Sequence, residues 1–254
     1  MENAGFMDSS DSWLATEWLQ DETSAEVCLV CLPHAGATHA VFEGWVRFFA
    51  PEIDIGAICL PGRGVRFGEP ACDTMQELVG HLARALHDRP NRSPLAIYGE
   101  CTGALIATAL VNELAKTYGE KVVHLFVAGY PPPGHTSRKL HALAPDAFRD
   151  EVLGLGFIPP ELAANPQTIE FFLPQILADF RICELFEGAD LLLDCPITGL
   201  IGTEDRLDPV VFERWAGVTR GPWNCVTVPY GHLLAADPKC VVRPAVKRSV
   251  LDRH

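Results

Sequence analysis

One stretch constrains this chain more than any other: Pro94-Leu95-Ala96-Ile97-Tyr98-Gly99-Glu100-Cys101-Thr102-Gly103-Ala104-Leu105. A short apolar run ends in Gly-x-Cys-x-Gly, and small or apolar residues at helical spacing (Ala104, Leu105, Ala107, Leu110, Val111, Leu114) follow at once. A strand that turns sharply into a helix over two glycines is a nucleophile elbow, here with cysteine where serine is usual. The glycines let strand and helix approach closely and permit a strained backbone at Cys101. The turn lifts the thiol clear of the sheet, and the helix N-terminus behind it favours developing negative charge. The bland alternative is a buried cysteine between two loop glycines.

The rest of the chain alternates short apolar runs with helical patterns, as a parallel sheet with crossover helices requires. Val27 to Pro33 is near-continuously apolar, the mark of a strand buried on both faces. It ends in Pro33-His34-Ala35-Gly36-Ala37, and a helical pattern runs from His39 to Phe49. Ile53 to Leu60 is the next expected strand, leading into Pro61-Gly62-Arg63-Gly64-Val65-Arg66-Phe67. Asp73 is expected to cap a helix whose apolar positions are Met75, Leu78, Val79, Leu82 and Leu86. Further strands are expected at Val122–Ala128, Pro196–Ile201 and Cys225–Val228, with a helical pattern from Val210 to Trp215. Between them, Gly129-Tyr130-Pro131-Pro132-Pro133-Gly134 can be neither helix nor central strand. Over about residues 130–188 the pattern is helical, with apolar residues on more than one face (Phe148, Leu153, Phe157, Phe172, Ile176 and Phe180 among them). A proline-bounded helical insertion between strands reads as a lid over an active site; crossover helices packed on the sheet are the plainer alternative. With no repeat, low-complexity stretch or linker, the expectation is one domain over residues 1–254.

Composition narrows the function classes. The 254 residues are 48% hydrophobic, enough for one α/β domain with a full core. A net charge of −13 argues against nucleic acid as the main partner. No apolar run approaches membrane-spanning length, and the polar, acidic stretch Met1 to Ser24 lacks the marks of a signal peptide. The nine cysteines are odd in number and follow no disulfide-scaffold spacing; Cys28, Cys31, Cys59 and Cys225 lie in apolar runs. A reduced, cytoplasmic protein is the expectation. Cys28-Leu29-Val30-Cys31 spells C-x-x-C, but strand positions three apart face opposite ways, so a structural role is expected and no metal or cofactor is implied. The tail from Asp237 is locally basic (Lys239, Arg243, Lys247, Arg248, Arg253) and reads as a solvated amphipathic helix.

Three features stand in one order: Cys101 after a mid-chain strand, Asp205 in Gly202-Thr203-Glu204-Asp205 after a late one, and His232 after the last. Nucleophile, acid, histidine is the chain order of the α/β-hydrolase fold. Loops at the same ends of parallel strands can converge. His232 would take the thiol proton or pair with the thiolate, Asp205 would fix its tautomer, and the N–H groups of Ala35 and Thr102 would receive the oxyanion. Asp208 is the rival to Asp205, and His34 is expected to shape its loop. Arg63 and Arg66 are either solvated charges or rim contacts for an acidic carrier.

At this point the chain resembles the type II thioesterases of polyketide and nonribosomal-peptide pathways, from about Val27 to Ala236. Pro33-His34-Ala35-Gly36, Leu60-Pro61-Gly62-Arg63, Gly99 to Ala104, Leu173-Pro174 with Ala178-Asp179-Phe180, Gly202 to Asp205 and Gly231-His232 match family landmarks in order. The resemblance implies removal of acyl groups from the phosphopantetheine thiol of an acyl or peptidyl carrier protein beneath a helical lid. Cys101 departs from the family's serine, Glu100 stands where histidine is common, and Leu177 where arginine is frequent. The cysteine is similar to that of acyl-shuttling members, such as those of aminocoumarin antibiotic pathways that move a pyrrole carboxyl group to a sugar hydroxyl. This implies an acyltransferase with a small-molecule acceptor; an editing thioesterase, a serine enzyme with an engineered cysteine and a silent carrier-binding module are the alternatives. A serine acyl-enzyme is an oxygen ester that has lost much of the thioester's transfer potential, whereas a cysteine acyl-enzyme keeps it if water is excluded.

Overall fold

The computed structural model describes residues 25–89, 93–135, 139–156, 158, 163–235 and 246–247. Six strands, β1 (Val27–Leu32), β2 (Ile53–Ala57), β3 (Leu95–Glu100), β4 (Val122–Ala128), β5 (Ile197–Gly202) and β6 (Trp223–Val228), form one sheet in the order β2-β1-β3-β4-β5-β6. Every pairing is parallel. This is the α/β-hydrolase arrangement expected from the chain order. The helices are α1 (Val46–Phe49), α2 (Met75–His87), α3 (Thr102–Tyr118), α4 (Pro145–Gly154), α5 (Pro166–Glu184) and α6 (Pro209–Phe212).

Alternation along the strands builds two cores, one on each face of the sheet. On β1, Cys28, Val30 and Leu32 join the core beneath α2, α3 and α5, while Val27, Leu29 and Cys31 join that of Trp45 and Phe49. The two thiols of the C-x-x-C therefore lie on opposite faces, and the described cysteines are free. Met75, Leu78, Val79, Leu82 and Leu86 are all buried on α2, as their spacing predicts.

Several boundaries differ from expectation. His39–Trp45 is a 3₁₀ turn, and only Val46–Phe49 is α-helical. β2 stops at Ala57, though Ile58 N still donates to Cys31 O at 2.9 Å; beyond it Arg66 Nη1 donates to Cys59 O at 3.1 Å, and the Cys59 thiol donates to Arg63 O. Thr74, not Asp73, caps α2; its hydroxyl accepts from Glu77 N while Glu77 Oε2 accepts from Asp73 N. Residues 130–188 carry α4 and α5, with Pro174 inside the latter. Met1–Ser24, Phe157 and all but Lys247 of the basic tail residues lie outside the described residues. Among the described residues no helix is long and apolar enough to cross a membrane.

Candidate active site

β3 delivers Cys101 directly into α3. Its φ of 54° and ψ of −127° make it the one described residue other than glycine with positive φ, a conformation that costs about 1–3 kcal/mol. The flanking glycines are steric necessities. A Cβ on Gly99 would lie 2.2 Å from Gly103 O, and one on Gly103 would lie 2.5 Å from Leu32 O. Strand β3, helix α3 and the end of β1 thus touch backbone to backbone, and Cys101 N is anchored by donating to Ala128 O at 2.9 Å. Cys101 is 1% exposed.

The loops after β5 and β6 are pressed together in the same way, since a Cβ on Gly202 would lie 2.2 Å from the carbonyl oxygens of both Tyr230 and Gly231. This brings His232 Nδ1 to 3.0 Å from Asp205 Oδ2. Asp205 is itself fixed by its turn: Oδ1 accepts from Leu207 N at 3.1 Å, and its own N–H donates to Gly202 O. Gly129 (φ 61°) leaves room for the pair, for a Cβ there would sit 3.3 Å from Asp205 Oδ2 and 3.4 Å from His232 Cε1. His232 Nε2 is buried without a conventional hydrogen-bond partner and interacts with Cys101. Burial works against the imidazolium, but the charge of a Cys101 thiolate, the hydrogen bond to Asp205, the contact with Cys101 and the Asp205 charge outweigh it, raising the pKa to about 11. Asp208 is spent elsewhere, capping α6 by accepting from Val210 N at 2.8 Å.

Ala35 lies in the loop after β1, and Thr102 is the first residue of α3; both are buried. Neither N–H has an acceptor among the described residues. The arrangement sets a cysteine beside an imidazole oriented by a carboxylate, the elements of nucleophilic catalysis.

Residues 28–243 match the Thioesterase domain family. The chain belongs to the thioesterase family. GrsT, the gramicidin S biosynthesis protein of Aneurinibacillus migulanus, is 29% identical over 85% of this chain and 86% of its own length. Thioesterase PikA5 of Streptomyces venezuelae is 26% identical over 89% of this chain and 82% of its own. Among solved structures, the RedJ thioesterase of the prodiginine pathway in Streptomyces coelicolor superposes with a TM-score of 0.79 at 28% identity, covering 89% of this chain and 91% of that one.

In this thioesterase, two carboxylates that sequence reasoning did not assign bind the site's loops together. Glu100, beside the cysteine, is fully buried. Its Oε1 accepts from Leu234 N, from Ala235 N at 2.9 Å and from the Tyr98 hydroxyl at 3.2 Å; its Oε2 lies 3.8 Å from His34 Nδ1. The glutamate therefore ties the elbow to the segment that follows His232. Asp179, on α5, accepts from Gly36 N and from both terminal nitrogens of Arg63.

That last contact corrects the expectation for the two arginines. Arg63 and Arg66 are 5% and 4% exposed, so neither is a solvated charge or a rim contact for a carrier. A buried guanidinium requires a partner, and Arg63 finds Asp179 while Arg66 finds Glu69 and Cys59 O. Helix α5 buries Ile176, Asp179, Phe180, Ile182 and Cys183, and the Cys183 thiol donates to Thr102 O at 3.5 Å. Its N-terminal half leaves Phe171 exposed, stacked on Phe67. Among the described residues no cluster of three histidine, cysteine or acidic side chains could hold a metal.

Proposed function

We propose that this thioesterase-family enzyme is a carrier-protein-dependent acyltransferase of natural-product biosynthesis. In this reading Cys101 is the nucleophile, His232 the proton carrier, Asp205 its orienter, and the Ala35 and Thr102 N–H groups receive the oxyanion. The observation that carries it is a cysteine at the strained elbow, 1% exposed and beside a histidine whose Nδ1 is held by Asp205.

The Cys101 thiolate adds to the carbonyl of an acyl-phosphopantetheine thioester, and the carbonyl oxygen takes the negative charge into the two N–H groups. Collapse breaks the bond to the carrier's sulfur, which leaves with the proton of the His232 imidazolium. An acceptor hydroxyl or amine then gives its proton to His232, attacks the acyl-enzyme carbonyl and expels the Cys101 thiolate. No external cofactor is consumed. The first exchange converts one thioester into another and is close to isoenergetic; the second runs downhill to an ester or amide. A pyrrole-2-carboxyl group passing to a sugar hydroxyl is the donor and acceptor pair that the family resemblance implies.

Water must be kept from the acyl-enzyme. Residues 130–188 supply the lid of a single domain, with Ile176 and Phe180 of α5 in the same core as Cys101. The names of GrsT, PikA5 and RedJ, a gramicidin S biosynthesis protein and two thioesterases, one of them of the prodiginine pathway, support work in natural-product biosynthesis, and free thiols suit a cytoplasmic site. Those names also favour a second reading, an editing thioesterase that hydrolyses stalled acyl groups.

Intact-protein mass spectrometry separates the two. Incubated with acyl-carrier proteins, the enzyme should accumulate an acyl group on Cys101 that an alcohol or amine acceptor discharges far faster than buffer does. Cys101→Ala should remain unlabelled. Rapid release of free acid, unaffected by any acceptor, would replace transfer by hydrolysis.

A further inference from the structure

We infer that Asp179 is a positioning residue that sets the oxyanion loop from above, so that α5 and the Ala35 donor form one unit. The inference rests on the reading of Ala35 as an oxyanion donor. Asp179 Oδ2 accepts from Gly36 N at 2.8 Å and from Arg63 Nη1 at 2.6 Å, while Oδ1 accepts from Arg63 Nη2 at 2.7 Å. Both side chains are almost wholly buried.

Stability alone is a poor reason for this pair. Desolvating two charges costs about as much as their attraction returns, and apolar replacements of similar volume are often neutral. The position of the shared oxygen is the informative part. Gly36 has φ of 74°, and a Cβ there would lie 2.5 Å from Ile176 Cγ1. Ile176 and Asp179 are three apart and share one face of α5, so that face is the mould against which the loop is shaped. The Ala37 N–H to His34 O bond closes the turn from below. With Gly36 N held by Asp179 and His34 O held by Ala37 N, the peptide planes on both sides of Ala35 are fixed, and the Ala35 N–H lies in the second of them, trans to His34 O. An oxyanion donor must sit within a few tenths of an ångström of its place, and losing one costs about 10²–10³ in turnover. Asp179 touches no substrate; it acts through the backbone.

The test removes the charges together, so that Arg63 is never left unpaired. In R63M/D179N the amide oxygen still accepts from Gly36 N, since the amide nitrogen cannot. In R63M/D179L the shape is kept and the acceptor is lost. Turnover of an acyl N-acetylcysteamine thioester should fall about 10²-fold in R63M/D179L and be largely rescued in R63M/D179N. Alkylation of Cys101 by iodoacetamide, which forms no oxyanion, should proceed at the wild-type rate in both. Equal turnover in the two variants, or alkylation falling in step with turnover, would overturn the inference alone. A wild-type enzyme that is alkylated at Cys101 but turns over no thioester would overturn the acyl-transfer reading and this inference with it.

Discussion

Glu100 offers the sharpest test of how the site is held, because its variants separate acceptor from charge. Its Oε1 takes three hydrogen bonds, from Leu234 N, Ala235 N and the Tyr98 hydroxyl, all contributed by buried residues. Glu100→Ala orphans those three donors. Each buried donor left unmade costs about 1–3 kcal/mol, so the sum is about 3–6 kcal/mol once a water is allowed into the space. Glu100→Gln keeps the carbonyl acceptor and gives up only the charge, a loss of about 1 kcal/mol. Urea unfolding followed by tryptophan fluorescence measures both, and Trp45 is a well-placed reporter because its Nε1 donates to Ala235 O at 2.9 Å. Leu234 follows His232 by two residues, so Glu100→Ala should also slow alkylation of Cys101 at neutral pH, while Glu100→Gln should not. An alanine variant within about 1 kcal/mol of wild type would refute the reasoning. So would a glutamine variant as damaged as the alanine one.

Two further outcomes follow from the same geometry. In Cys101→Ala the chief support for the imidazolium is gone and burial dominates, so the His232 pKa should fall from about 11 toward or below 6.5, read by NMR titration of the ring; an unchanged value would show that Asp205 alone holds the proton. Asp205→Asn should lower turnover about 10⁴-fold by misplacing the histidine tautomer. Asp208→Asn should cost only about 1 kcal/mol or less of helix capping, and the reverse ranking in steady-state kinetics would reassign the orienter.

Much of this was legible in the sequence, for physical reasons that can be named. β4 runs over Val122–Ala128 as expected, because a strand buried on both faces must be apolar throughout and the chain breaks that run with Gly129 and three prolines. The placement of Asp205 was readable because Gly-x-x-Asp is a local turn, closed by Asp205 N donating to Gly202 O. The cap of α2 fell one residue away because Asp73 and Thr74 are both good acceptors; Glu77 decides between them, its N–H donating to the Thr74 hydroxyl while its carboxylate accepts from Asp73 N. Arg63 and Arg66 were misread for a different reason. A charged side chain in a glycine-rich loop is normally solvated, and what buries Arg63 is an aspartate 116 residues further on.

The same distance hides the two organising carboxylates. Glu100 accepts from a backbone 134 residues away, and Asp179 from one 143 residues away, so no local pattern marks either as an acceptor. Together they bind the β1 loop to α5 and the elbow to the histidine loop, leaving none of the three loops to be placed by its own turn alone. For the proposed chemistry this has a consequence. If α5 swings aside to admit an acyl group, Asp179 leaves Gly36 and the Ala35 donor loses its alignment. On the proposed reading, the tetrahedral intermediate would be stabilised only with α5 back in place, so that bond making at the thioester would be confined to the state in which Asp179 holds Gly36 N.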